Sequence, residues 1–151
     1  MQKYMIFTLL VWLVSINSYA EEKQANSVVT DKINAIYWQD DSLSKKSSKD
    51  WDDAVLYCDK LVLNGLAHWR LPTFKELFSI VDYARVYPAI NPAFGFVGEG
   101  TYWTSTNFTP NGSRAWTIDF RTGKTYYSYR TTNHVVRCVK EIPSSLTKGN
   151  K

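Results

Sequence analysis

Thiols and imidazoles are scarce in this chain of 151 residues, which has two cysteines and two histidines. His68 and His134 lie far apart with no cysteine or histidine at ligand spacing, so they read as solitary structural or surface residues rather than zinc ligands. Long apolar runs are equally scarce: after residues 1–20, nothing is apolar enough to cross a bilayer. Internal repeats and low-complexity segments are missing, as are a nucleophile–base pair and a paired-carboxylate motif, which argues against turnover. Charge of one sign does not dominate. The formal net charge of +4 and a pI near 9.0 permit attraction to anionic surfaces such as sulfated sugars, cell-wall polymers or lipopolysaccharide without demanding it, and carry no nucleic-acid footprint.

The chain opens with Lys3, an apolar run over residues 5–16 and the small-residue pattern Ser18-Tyr19-Ala20. This predicts a secretory signal peptide over residues 1–20, cleaved after Ala20. The competing reading is an uncleaved anchor, but the run is shorter than the roughly 20 residues a spanning helix needs. No cysteine follows the run, which speaks against a lipid-anchored processing site. An exported chain, whether periplasmic, outer-surface or secreted, meets an oxidising space, where Cys58 and Cys138 should pair; the alternative is a free thiol pair serving catalysis or a metal.

Residues 21–27 read as a flexible segment and residues 28–140 as one domain. Residues 28–39 suggest two short strands around a turn at 31–34, followed by an exposed loop over 40–49 rich in Asp, Ser and Lys. Asp50 is a good N-cap for a first helix whose apolar stripe is Trp51, Ala54, Val55, Cys58, Leu61 and Val62, stopped by Asn64-Gly65. In Trp69-Arg70-Leu71-Pro72-Thr73, a short extended segment runs into a second helix that Thr73 and Glu76 start as a capping box. Its stripe is Phe74, Leu77, Phe78 and Val81, and it should fade around 82–84. Residues 85–100 carry three glycines and two prolines, and are expected to be irregular and packed down by Ile90, Phe94 and Phe96, or else used for binding. From Thr101 the period becomes twofold, predicting an antiparallel meander of strands at 102–106, 114–120, 125–130 and 134–140, then a disordered tail over 141–151. Two helices and a meander, with the first helix tied to the last strand by the disulfide, define an α+β domain.

Taken in order, Val29-Thr30-Asp31, Ile36-Tyr37-Trp38-Gln39-Asp40, Trp51-Asp52-Asp53-Ala54, Tyr57-Cys58, Trp69-Arg70-Leu71-Pro72-Thr73 with Glu76-Leu77, Pro88-Ala89-Ile90, Tyr102-Trp103-Thr104-Ser105-Thr106, Trp116, Asp119-Phe120 and Val136-Arg137-Cys138-Val139 form a collinear series. The series resembles the Lcl C-terminal domain family, bacterial exported domains named after the collagen-like adhesin of Legionella. The resemblance implies a C-type-lectin-like fold, a disulfide from first helix to final strand, and binding or adhesion rather than turnover. The named adhesin is associated with sulfated glycosaminoglycans. This chain has no collagen-like Gly-X-Y stalk, so trimerisation and avidity do not carry over.

True C-type lectins hold calcium with a Glu-Pro-Asn or Gln-Pro-Asp loop and a Trp-Asn-Asp strand. Here Asn91-Pro92 lacks the preceding acid and Trp103 is followed by Thr104-Ser105, so no metal or cofactor is expected. Arg-Leu-Pro-Thr also occurs in formylglycine-generating enzymes, which raises an oxidase-like reading. That chemistry needs free late thiolates, and Cys138 is better used in the bridge.

The candidate ligand surface is the meander. If Tyr127 and Tyr129 face the core, Tyr126, Ser128 and Arg130 face outward, and Arg114, Arg121 and Lys124 extend them into a basic strip suited to stacking on sugars and pairing with sulfate, carboxylate or phosphate. The plainer reading is a solvated sheet face whose aromatics support strand pairing. Arg70 and Arg137 sit in apolar contexts and read as structural, Arg70 facing Glu76. Asn107-Phe108-Thr109 and Asn111-Gly112-Ser113 match the N-glycosylation pattern without meaning in a bacterial chain. The expectation is an exported, non-catalytic module binding an anionic polysaccharide or an envelope or host protein without calcium. The alternative is a structural, protein-binding subunit of an envelope assembly.

Overall fold

A computed structural model describes residues 27–108 and 112–147. The expected signal peptide, all but the last residue of the segment 21–27, the turn residues 109–111 with parts of both glycosylation patterns, and residues 148–151 lie outside the described residues. Strands β1 (Val28–Asp31) and β2 (Ile36–Gln39) form a hairpin in the register Val28↔Gln39, its turn closed by Asp31, whose Oδ1 accepts the N–H groups of Ile33 and Asn34 at 3.0 Å each. The other edge of β2 pairs with β8 (Val139–Glu141), so a three-stranded sheet joins the two ends of the domain.

The second sheet has the order β3-β7-β4-β5-β6, built from β3 (Ser48–Lys49), β4 (Thr101–Asn107), β5 (Arg114–Asp119), β6 (Lys124–Tyr129) and β7 (His134–Val135). Only β4, β5 and β6 form a meander. The expected fourth strand is split: β7 crosses back to lie parallel to β4 through Tyr102↔Val135, residues 136–138 leave the ladder, and β8 joins the other sheet. That split follows from burial, since Val136, Arg137 and Cys138 are all fully buried where the two sheets meet.

Four helices are present among the described residues: α1 (Ser42–Lys46), α2 (Trp51–Lys60), α3 (Phe74–Ser79) and α4 (Ser144–Thr147). Both expected starts occur. Asp50 accepts the Asp53 N–H at 2.9 Å, and Thr73 with Glu76 makes a reciprocal capping box. Both expected ends are corrected. Helix α2 stops at Lys60; Asn64 and Gly65, both at positive φ, instead form the tip of a tight turn in which Leu63 and Leu66 exchange hydrogen bonds at 2.9 Å. Helix α3 stops at Ser79 because the Ile80 carbonyl is taken by the Asn91 N–H at 2.9 Å and Val81 bridges to Ile90. Residues 40–49 are not an exposed loop. They hold α1 and β3, and Asp40 and Ser44 are buried. Nor is the end wholly irregular, since Glu141 closes β8 and α4 follows.

The interior has two parts because β4 and β5 are covered on both faces. Tyr102, Ile118 and Phe120 point towards Leu77 of α3 and towards Ile90 and Phe94 of the long loop; Trp103 and Ala115 point the other way, against Ala54 and Cys58 of α2. Alternation sends neighbouring residues to opposite faces, so a strand buried twice reads as a continuous apolar run. The disulfide joins Cys58 of α2 to Cys138, with Cα atoms 5.6 Å apart. Among the described residues the bridged helix is the second in chain order, and Cys138 sits just before the last strand. Residues 85–100 form no helix or named strand, as expected, with Ile90 and Phe94 buried and Phe96 half-buried.

Candidate functional site

The β5–β6 ladder keeps one register over six pairs, from Arg114↔Tyr129 to Asp119↔Lys124. Directly opposed residues share a face. Arg114, Trp116, Tyr127 and Tyr129 therefore lie on the face that α3 covers, while Tyr126 and Ser128 lie on the face of α2. The expectation that Tyr127 and Tyr129 turn into the core is corrected: they are 49% and 52% exposed, and Tyr126 is 46% exposed, because β6 is the last strand of its sheet and nothing covers either side of it fully.

On the α3 side the rings form one path. Tyr83 meets Phe78 with centroids 6.3 Å apart, Phe78 stacks on Phe74 at 5.6 Å, and Phe74 tilts against Trp116 at 5.3 Å. Trp116 meets Phe108 at 5.2 Å and Tyr127 at 6.1 Å, and Phe108 stacks on Tyr127 at 3.9 Å. Arg114 completes the path. Its guanidinium lies 5.5 Å from the Tyr127 ring and 4.2 Å from the Tyr129 ring, and donates to the Tyr129 hydroxyl. Among the described residues no carboxylate lies within ion-pair distance of it.

The five candidate residues are not brought onto one strip. Arg114 belongs to the ring path. Arg130 lies at the same end of β6 on the opposite face, its guanidinium 3.8 Å from the Trp51 ring and donating to the Asn107 amide oxygen. Tyr126 shares that opposite face further along the strand. Arg121 and Lys124 sit at the far turn. There the Arg121 guanidinium grips Asp119 with contacts of 2.8 and 3.0 Å; burial pushes the Asp119 carboxyl up, but Arg121 outweighs it and holds the group below its ordinary value. Beside Arg121, residues Tyr87, Pro88, Val97 and Glu99 line a shallow cleft of about 410 Å³.

The residues singled out as a structural motif build the scaffold beneath. Trp69 and Leu71 are buried, Arg70 is bidentate on Glu76 at 2.8 and 2.9 Å and reaches Glu141 at 2.7 Å, and the Pro72 carbonyl accepts the Ser105 N–H at 2.8 Å. Trp103 donates to the Lys49 carbonyl at 2.9 Å. Arg137 is fully buried and pairs with Asp40 at 3.0 Å. His68 is exposed. His134 is half-buried with Nδ1 against the Thr101 hydroxyl and its ring edge-on to Trp103, centroids 4.5 Å apart, and its Nε2 is buried with no partner among the described residues. Burial alone lowers the His134 pKa. Among the described residues no cluster of three or more His, Cys, Asp or Glu could hold a metal, and no helix is long and apolar enough to cross a membrane.

Phe74, Phe78, Tyr83, Phe108 and Trp116 were not anticipated as site residues. The Trp116–Tyr127 contact was within reach of sequence reasoning, since the hairpin register fixes cross-strand pairs; the helix side was not, because Phe74 and Phe78 look like core residues at helical spacing. Compared with known families, residues 27–140 match the Lcl C-terminal domain. No curated protein matches the chain.

Proposed function

The chain belongs to the Lcl C-terminal domain family, and from that premise we propose that it is an exported, non-catalytic adhesion module with a C-type-lectin-like fold that binds an anionic glycan without calcium. The reading rests on one observation, the ring path from Tyr83 to Tyr127, exposed at Tyr83, Phe78 and Tyr127 and partly buried between them, which ends on Arg114, a cation with no carboxylate at ion-pair distance among the described residues. Aromatic faces take the apolar faces of sugar rings, and a guanidinium takes sulfate or carboxylate in a planar fork. A lectin-like fold is supported by the chain ends meeting in one sheet and by the disulfide between a helix and the residue before the last strand.

The test is binding of the purified protein to an array that includes sulfated and carboxylated polysaccharides, at two salt concentrations and with a calcium chelator. Salt-sensitive, chelator-resistant binding is expected. Arg114→Ala and Tyr127→Ala should each weaken it about tenfold, roughly 1.4 kcal/mol, while Lys124→Ala, which changes net charge equally, should weaken it far less. A blank array, or equal losses from all three variants, would sink the assignment.

A further inference from the structure

We propose that the open edge of β6 is a docking site for an extended, acidic polypeptide strand supplied by a partner protein, which would join the sheet as a sixth strand. Of the four strands at sheet edges, β8 is partly covered, since Val139 and Arg70 exchange hydrogen bonds at 2.8 Å, and β6 is the longest, with six residues against four in β1, three in β8 and two in β3. It holds no proline, and its register with β5 has no bulge, so the usual guards against added strands are absent except for Lys124.

The direction of its backbone groups follows from its neighbours. The Arg130 N–H donates inward to the Ser113 carbonyl at 2.9 Å. Alternation in an antiparallel ladder then turns Ser128, Tyr126 and Lys124 inward, and Tyr129, Tyr127 and Thr125 outward. The Tyr129 carbonyl is taken by the Thr132 N–H at 2.9 Å. The outward N–H groups of Thr125, Tyr127 and Tyr129 and the carbonyls of Thr125 and Tyr127 are left to pair with an added strand. Side chains of that strand would alternate between Tyr127 and Tyr129 on one face and Tyr126 on the other, all half-exposed.

Charge selects the occupant. Residues 114–130 hold four cations, Arg114, Arg121, Lys124 and Arg130, and one carboxylate, Asp119, which Arg121 already grips. A second copy of this chain would bring four more cations against these, whereas a strand flanked by Asp or Glu complements them. The pairing uses main-chain groups of β6 that the glycan reading does not use, while the side chains of the strand would share Tyr127 and Arg114 with that reading.

The probe is a synthetic nine-residue peptide alternating Glu with Val and Thr, added to the full chain while amide hydrogen exchange is followed residue by residue. Exchange at Thr125 and Tyr127 should slow at least about tenfold. The same peptide with alternate amides N-methylated, and a Lys-for-Glu peptide, should give no protection. Thr125→Pro removes an outward N–H without breaking a β5 bond, so circular dichroism should be unchanged and protection at Tyr127 lost. Failure of the Glu peptide to protect these amides, or protection that survives N-methylation, overturns the proposal. Protection in concentrated protein alone, with a dimer in sedimentation, overturns it in favour of a second copy. Protection by the peptide in a protein that binds no glycan leaves this proposal standing and removes only the glycan reading.

Discussion

Replacing Asp40 with alanine should destabilise the protein more than any surface change, because the carboxylate is the hub that holds the long loop to both sheets. Its oxygens accept the Gly95 N–H at 2.8 Å, the Phe96 N–H at 3.1 Å and an Arg137 N–H at 3.0 Å. Arg137 donates also to the Gln39 carbonyl at 2.7 Å and to the Phe96 carbonyl, and its side chain is wholly buried. Truncation therefore removes three hydrogen bonds and leaves a guanidinium in the interior with two carbonyls and the Phe94 and Tyr102 rings but no carboxylate partner. Breaking one side of a buried pair costs about 3–5 kcal/mol, a large share of a domain stability of about 5–15 kcal/mol. With a urea m-value of about 1.5 kcal/mol/M, the midpoint should fall by about 2–3 M. Tryptophan fluorescence in urea reads this, and hydrogen exchange should quicken most at Gly95 and Phe96. The pair Asp40→Leu with Arg137→Met removes both charges together and should recover the part of the loss due to the uncompensated guanidinium, while the Gly95 and Phe96 N–H groups stay without their acceptor. A single-variant cost below about 1 kcal/mol, or a double variant as unstable as the single, would refute the account.

Two further predictions concern the frame. Converting Cys58 and Cys138 to alanine opens a bridge spanning 80 residues and should cost up to about 4.5 kcal/mol in the chain-entropy picture; reduction of the native protein should lower its unfolding free energy in urea by the same amount, and coincident curves for the reduced and oxidised protein would disprove this. Burial pushes the Glu76 carboxyl up, but Arg70 and the Thr73 N–H outweigh it and hold the pKa below its ordinary value. A depressed carboxyl pKa stabilises fully above the unfolded value and ceases to do so as pH falls through the folded one, so stability should drop below roughly pH 4.3. Glu76→Gln should flatten that part of the curve, and an unchanged slope would count against the clamp.

What was legible in the sequence was whatever local hydrogen bonding decides. Asp50 and Thr73 announce helix starts because an N-cap bonds within three residues of itself. Helix ends were misread because distant groups set them: the Asn91 N–H stops α3, and Asn64-Gly65 is spent on a turn of its own. Asp40 looked like the head of a solvated loop on composition. Its burial depends on Arg137, 97 residues away, and no local pattern carries that information. The parallel placement of β7 beside β4 is likewise a long-range pairing that a twofold period cannot distinguish from one more hairpin. For the candidate site, Arg114 was identified from residue type, but the strip assumed that one face of β6 is buried. An edge strand breaks that assumption.

The exposed surface is held still by the parts that are buried. Strand β5 is packed on both sides, so β6 pairs along six residues with a strand that cannot shift. One end of β6 is tied where the Trp51 N–H reaches the Arg130 carbonyl at 2.9 Å and the Arg130 guanidinium lies on the Trp51 ring, on the helix that the disulfide fixes. The other end is tied where the Tyr83 hydroxyl donates to the Gly123 carbonyl at 2.9 Å; Gly123 has φ +74°, and a Cβ there would come within 2.8 Å of Tyr83 and Val81. Tyr83 also begins the ring path, so one contact seats both the turn and the first aromatic ring. Ordering of side chains and loops is a main cost of association, and rings already held by stacking and by Arg114 have little freedom left to lose. On the proposed glycan reading, such a surface would bind through preorganisation rather than area, so substitutions at Gly123 or Trp51, outside the proposed ligand contacts, should weaken binding through looser ring positions.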